Sequence, residues 1–439
     1  MYYYSTNGKA EKADLHKAVV KGLAEDKGLY MPESVKQLPQ TFFDNIDKLS
    51  FQEIAYTVAD AFFGEDIPAD TLKQIVYDTL SFDCPTVKVT DSIYALELFH
   101  GPTLAFKDVG ARFMARLLQY FIRQEGQEKV NVLVATSGDT GSAVANGFLG
   151  VDGIHVYVLY PKGKVSPIQE CQFTTLGKNI TAIEVDGVFD DCQALVKNAF
   201  MDDELNAHMK LTSANSINVA RFLPQAFYYF WTYARLKKNN ALKMDEEGSN
   251  LVICTPSGNF GNICAGLFGK RMGLKVKRFI ASNNANSVFY EYLQTGDYRP
   301  RPSIQTIANA MDVGDPSNFA RVWELYGKSH EAITADISGA TYSDEEIAET
   351  IREVKEQTGY LCDPHGACGY RALKEGLKDG EIGVFLETAH PAKFKDTVEG
   401  IIGEEITIPE KLAAFMKGKK QSVAMSKEFA DFKAFLMKE

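Results

Sequence analysis

At 439 residues the chain is too long for one small core and suits two or three domains. Hydrophobic residues make up 45% and charged residues 24%, the balance of a soluble globular protein, and no apolar run is long enough to span a bilayer. The net charge of −11 disfavours non-specific binding of nucleic acid, so an anionic ligand must be met by a few local Lys, Arg and backbone N–H groups.

The first ninety or so residues read as helical pieces broken by Gly and Pro. Ala13 to Glu25 is amphipathic, Thr41 to Phe63 is helical in parts, and Pro32, Pro39, Pro68 and Pro85 punctuate the region. From about Ser92 strands and helices alternate. Ile93 to Phe99 is a strand candidate and Val109 to Phe121 a helix. Val130 to Ala135 is a short continuous apolar run of the kind a doubly covered parallel strand needs. Ser142 to Phe148 reads as helix. Ile154 to Tyr160, Ile180 to Val185, Leu251 to Cys254, Val276 to Ala281 and Ile382 to Leu386 continue the strand series. This alternation predicts an α/β fold with mainly parallel sheets, whose ligands lie beyond the carboxyl ends of strands.

The segments that follow those strands carry the chemistry. His100 to Asp108 (HGPTLAFKD) is a Gly-Pro turn leading to Lys107, set among Leu104, Ala105 and Phe106. Apolar surroundings depress an ammonium's pKa and make a usable amine nucleophile; the plainer reading is a surface lysine at a helix start. Thr136 to Ser142 (TSGDTGS) combines hydroxyls, glycines and a helix start. It reads equally as an anion nest or as a cap provided by Ser137 or Asp139. Ser213 to Arg221 (SANSINVAR) opens an aromatic-rich helix running to about Leu236. Asn215 and Ser216 are candidate caps, and Arg221 is a phosphate-binding guanidinium or an ordinary surface arginine. Pro256 to Asn262 (PSGNFGN) has two glycines that allow close approach of a phosphate. It matches neither a Walker loop nor a dinucleotide fingerprint. Thr388, leaving the last buried strand, places a hydroxyl where a ligand's edge would lie, or simply marks a turn.

Seven scattered cysteines without a C-x-x-C suit free thiols in a reducing, cytoplasmic setting, and the N-terminal residues show no secretory signal. Cys362, His365 and Cys368 suggest a metal, but a structural zinc needs a fourth ligand and none stands out. No metal is expected.

Taken together and in order, the segments GLYMP (28–32), ELFHGPTLAFKD (97–108), ATSGDTGSAV (135–144), YPKGKVSPIQE (160–170), SANSINVAR (213–221), PSGNFGN (256–262), NAMDV (309–313) and TAHPAKF (388–394) resemble the threonine synthases of the long microbial kind. The resemblance covers nearly the whole chain; the tail beyond about Ile408 is less diagnostic. It implies a fold-type II pyridoxal 5'-phosphate enzyme, like the tryptophan synthase β chain. Two mainly parallel α/β domains would follow a mostly helical N-terminal domain at 1–90. The catalytic region would span 91–439, with the smaller domain inserted at about 110–215. The implied reaction converts O-phospho-L-homoserine and water to L-threonine and phosphate, the last step of threonine biosynthesis.

On the same resemblance Lys107 is the Schiff-base lysine. Gly258, Asn259, Phe260, Gly261 and Asn262 cradle the cofactor phosphate, and Thr388 faces the pyridine nitrogen. Asp139 lies near the phenolic oxygen, where relatives often have an asparagine; an aspartate there needs a donor or a proton. Ser137, Thr140, Asn215, Ser216 and Arg221 surround the substrate's carboxylate and phosphate. The expected partner is this small-molecule substrate, with no nucleic acid and no membrane, for a monomer or homodimer. The alternatives are another fold-type II lyase, such as a serine/threonine dehydratase or a phospholyase, and a pyridoxal-phosphate-binding protein without turnover.

Overall fold

The computed structural model describes residues 1–126, 129–245 and 248–439, which fall into two compact units. The first comprises Met1, Met31–Gly101 and Phe222–Thr407; the second comprises Tyr2–Tyr30, Pro102–Arg221 and Ile408–Glu439.

The first unit is built on a six-stranded sheet. Its strands run Ile337–Thr341, Arg278–Asn283, Leu251–Pro256, Ile382–Glu387, Ile93–Glu97 and Thr86–Lys88 across the sheet. Every pair is parallel except the last, where Thr86–Lys88 lies antiparallel at the edge. Leu251–Pro256 is buried along its whole length, which explains its continuous apolar run. The surrounding helices start where local chemistry lets them. Ser50 and Glu53 form a reciprocal capping box at Phe51–Phe63, and Ser343 and Glu346 do the same at Asp344–Thr358, which Gly359 ends in the left-handed region. Apolar faces of the helices Asp344–Thr358 and Pro364–Gly376 (Ile347, Ile351, Val354, Cys368 and Leu373) close over Val252, Cys254, Ile280 and Phe385 of the sheet.

The second unit holds a five-stranded, wholly parallel sheet in the order Val423–Ser426, Ile180–Asp186, Ile154–Pro161, Val130–Ala135 and Lys210–Ser213. Leu133, Tyr157, Leu159 and Ile183 pack with Leu195, Leu205, Phe432 and Leu436 into one core.

The observed elements reproduce the predicted series with shifted ends. The first amphipathic stretch contracts to the helix Leu15–Lys21, opened by an Asp14 cap and stopped by Gly22. The helix expected from Val109 starts at Lys107 and runs to Gln124. One prediction fails: the aromatic helix is not continuous from Ser213 to Leu236. A short helix, Val219–Phe222, gives way to a tight turn at Leu223–Gln225, and the long helix begins at Ala226 and ends at Lys238. Pro224 explains the break, since its ring removes an N–H and crowds the preceding turn.

Candidate active site

In the second unit, Lys107 is the first residue of the helix Lys107–Gln124 and is half-buried, with its Nζ 5.5 Å from the centre of the Phe106 ring. The approach to it is strained: Leu104, a buried non-glycine residue, has φ 59°. The turn is locked by Asp108, whose two carboxylate oxygens accept the Thr103 N–H at 2.9 Å and the Thr103 hydroxyl at 2.6 Å. Gln172 donates to the Thr103 carbonyl at 3.1 Å. The lysine therefore leaves a backbone fixed on both sides.

The turn after Val130–Ala135 is organised differently from either sequence reading. Neither Ser137 nor Asp139 caps the helix Asp139–Phe148, whose cap position is Gly138 at φ 143°. Thr136 instead takes the amides of Gly138 at 2.9 Å and Gly141 at 2.8 Å on its Oγ1. The Ser137 and Thr140 hydroxyls make no hydrogen bond among the described residues. Asp139 is buried and accepts a bond from Gln169 Nε2 at 3.0 Å.

The parallel pairing of Val130–Ala135 with Lys210–Ser213 brings Asn215 beside this turn, and Asn215 Nδ2 donates to the Ala135 carbonyl at 3.2 Å. Ser216 is half-buried next to it. Asn218, which the sequence reading did not single out, caps the short helix, its Oδ1 accepting the Ala220 N–H at 3.0 Å. Arg221 is not a surface arginine. It is 2% exposed, and its Nε donates to the Ala214 carbonyl at 2.6 Å. Its guanidinium lies against Gly110, one turn into the lysine helix, where a Cβ would meet Nη1 at 2.6 Å. Lys107, Asp139, Asn215 and Arg221 thus belong to neighbouring segments of one unit.

In the first unit, the strand Leu251–Pro256 leads through Ser257–Phe260 into the helix Gly261–Arg271. Phe260 takes φ 66°, the second buried apolar residue of the chain held in the left-handed region beside a predicted site residue. The amides of Gly258, Asn259, Phe260, Gly261 and Asn262 donate to nothing among the described residues, and no side chain caps the helix. Tyr228 and Tyr229 reach the Asn262 Oδ1 with their hydroxyls at 2.7 and 2.9 Å, leaving Asn262 Nδ2 buried without an acceptor. Asn259 holds the far side of the turn: its Oδ1 accepts the Ser317 N–H at 3.0 Å and its carbonyl accepts Asn318 Nδ2 at 3.1 Å. Gly258 is required for a reason unlike phosphate access, because a Cβ there would sit 2.6 Å from the Ala310 carbonyl oxygen. Thr388 follows the neighbouring strand Ile382–Glu387, is buried, and has a hydroxyl that bonds to no described residue.

The C-x-x-H-x-x-C segment is structural. His365 donates from Nδ1 to Asp363 at 2.5 Å and accepts the Ala310 N–H on Nε2 at 3.1 Å, bracing the segment that lies against Gly258. Burial pushes the Cys362 and Cys368 thiols well up. No group of three or more metal-binding side chains occurs among the described residues. Sequence reasoning missed Gln169, Tyr228, Tyr229 and Asn318, all of which act on site residues from distant parts of the chain.

Residues 77–387 match the family model described as pyridoxal-phosphate dependent enzyme. Residues 2–80 and 366–436 match those described as threonine synthase N terminus and threonine synthase, C-terminal. The chain is 44% identical over 438 residues to the threonine synthase of Haemophilus influenzae, covering 100% of both. Among solved structures it superposes on threonine synthase from Escherichia coli with a TM-score of 0.92 at 42% identity, covering 100% of both chains. The PLP-bound threonine synthase from Brucella melitensis gives 0.92 at 35% identity, covering 100% of this chain and 99% of that one. The residues present fit the cofactor of this family. The loop 258–262 offers a run of unspent amides and one buried, unspent amide NH₂ at a helix start, the donor set a phosphate monoester requires. Lys107 carries an amine of the kind that condenses with an aldehyde. Its matched family models, its relatives over full length and this donor set together show that the chain belongs to the threonine synthase family of pyridoxal-phosphate-dependent lyases.

Proposed function

We propose that the chain converts O-phospho-L-homoserine and water to L-threonine and phosphate, with the residue roles that follow. When bound, pyridoxal phosphate supplies an electron sink for negative charge developing on the carbons next to the substrate's amine. Lys107 carries the cofactor through Nζ and moves protons at the substrate's Cα. Its fixed backbone and flexible side chain suit repeated transfers within one small volume. The amides of Gly258, Asn259, Phe260, Gly261 and Asn262 hold the cofactor phosphate. The Thr388 hydroxyl bonds the ring nitrogen without protonating it, which favours elimination and replacement over transamination. Ser137, Thr140, Asn215 and Ser216 bind the substrate's carboxylate and phosphate, and the buried charge of Arg221 stabilises the phosphate as it leaves.

The observation that carries this reading is the loop 258–262, whose donors have no use within the fold. The unpaired cysteines fit a cytoplasmic enzyme, and a monomer or homodimer is the assembly we infer. The test is to incubate the pyridoxal-phosphate-loaded protein with O-phospho-L-homoserine and assay threonine, phosphate and 2-oxobutyrate. Threonine and phosphate in equal amounts are expected; 2-oxobutyrate and ammonia in place of threonine, with phosphate still released, would identify a lyase that stops at elimination. Lys107→Ala should lower turnover by about a thousandfold or more and abolish the borohydride-trappable link. Near-normal turnover in that variant would remove Lys107 from the mechanism.

A further inference from the structure

Asp139 opens the helix Asp139–Phe148 and is 3% exposed, yet its carboxylate is held from elsewhere in the chain. The holder is Gln169, on the helix Pro167–Thr174, which is 1% exposed and donates from Nε2 to Asp139 Oδ1 at 3.0 Å. The Gln169 backbone is itself fixed, since its N–H donates to Ser166 Oγ at 3.2 Å. The other end of the carboxamide, Oε1, is buried with no donor among the described residues. Turning the amide over would set two oxygens face to face at Asp139. The carboxylate therefore imposes the orientation that strands Oε1, and a buried acceptor left without a donor is unfavourable. Gly138 makes the room: at φ 143° it adopts a conformation closed to other residues, and a Cβ on it would lie 2.5 to 2.6 Å from three atoms of the carboxamide. Two local penalties converge on one bond.

We propose that Gln169 is a positioning residue for the cofactor, fixing the rotamer and plane of the carboxyl group that Asp139 presents to the phenolic oxygen. This rests on the reading that Asp139 faces that oxygen. A change in the hydrogen bond at the phenolic oxygen alters the ratio of visible to near-ultraviolet absorption of the bound cofactor, a signature that a purely structural glutamine would not move.

The experiment compares absorption spectra of the holoenzyme for the parent, Gln169→Met, Asp139→Asn and the double variant. Gln169→Met, which keeps length and bulk, is expected to change the ratio about fivefold. Asp139→Asn changes it as well, and adding Gln169→Met to Asp139→Asn changes it by less than about twofold further. Gln169→Leu also removes the donor, and gives the same readout should the methionine variant not fold. A parent-like ratio in the folded Gln169 variants, with an altered ratio in Asp139→Asn, overturns the role of Gln169. A parent-like ratio in Asp139→Asn itself overturns the placement of Asp139 on which the inference rests.

Discussion

Burial and hydrogen bonding pull Asp312, in the NAMDV segment, in opposite directions. Asn284 Nδ2, Thr306 Oγ1 and the Thr306 N–H donate to it at 2.9, 2.7 and 3.0 Å, which favours the carboxylate. Burial wins and pushes its pKa up to about 6. A folded-state pKa above the unfolded one means that the stabilisation is complete below about pH 4 and is lost as pH rises through 6. The melting-temperature difference between Asp312→Asn and the parent should therefore move in favour of the variant from pH 4 to pH 7. A difference that stays flat, or moves the other way, contradicts the neutral acid. At this scale the sequence was readable wherever a residue's chemistry is local. Lys107 in its apolar setting and the paired glycines of 256–262 are visible locally, although only the resemblance assigns them roles. Gln169 did not, because its partner lies 30 positions away, and Tyr228 and Asn262 are 34 apart; only the fold brings such pairs together.

Between elements, the helices Gly261–Arg271 and Ala226–Lys238 approach so closely that a Cβ on Gly266 would meet the Tyr229 ring at 2.6 Å. Alanine is the better helix former by about 1 kcal/mol, but overpacking a rigid aromatic contact costs about 1–3 kcal/mol. The contact should win, so Gly266→Ala is expected to destabilise by up to about 2 kcal/mol in urea unfolding. It should also loosen pyridoxal phosphate by way of the Tyr229–Asn262 bond. A stabilised variant would mean that the two helices can move apart freely. Strands were the most legible elements because continuous apolar runs such as Val130–Ala135 have one stable use, burial on both faces. The aromatic helix is interrupted where the sequence looks continuous, because its composition is helical on both sides of Pro224 and only the proline ring breaks the hydrogen-bond ladder.

For the molecule as a whole, the least diagnostic stretch of sequence proves structurally essential. Val423–Ser426 adds the outer strand of the second unit's sheet, parallel to Ile180–Asp186, and Phe432 and Leu436 enter that unit's core. Lys420 bridges Glu170 at 2.9 Å and Glu184 at 3.2 Å. A four-residue strand carries too little periodicity to be recognised without its neighbour. Burial of Met425, Phe432 and Leu436 is worth about 5–9 kcal/mol, which is comparable to the net stability of a domain. Ending the chain at Thr407 should leave the second unit unable to fold, seen as insoluble protein on expression. A soluble truncated chain with an unchanged unfolding midpoint would show that the tail is dispensable.

That late strand has a consequence for biogenesis. The ribosome makes Ile180–Asp186 roughly 240 residues before Val423–Ser426, and at elongation rates of about 5–20 residues per second the interval is about 10–50 s. Throughout it the nascent sheet presents an open, hydrogen-bonding flank. Slowing translation between codons 186 and 423 would lengthen that exposure, so the solubility of the newborn chain depends on synthesis speed as well as on amino-acid content.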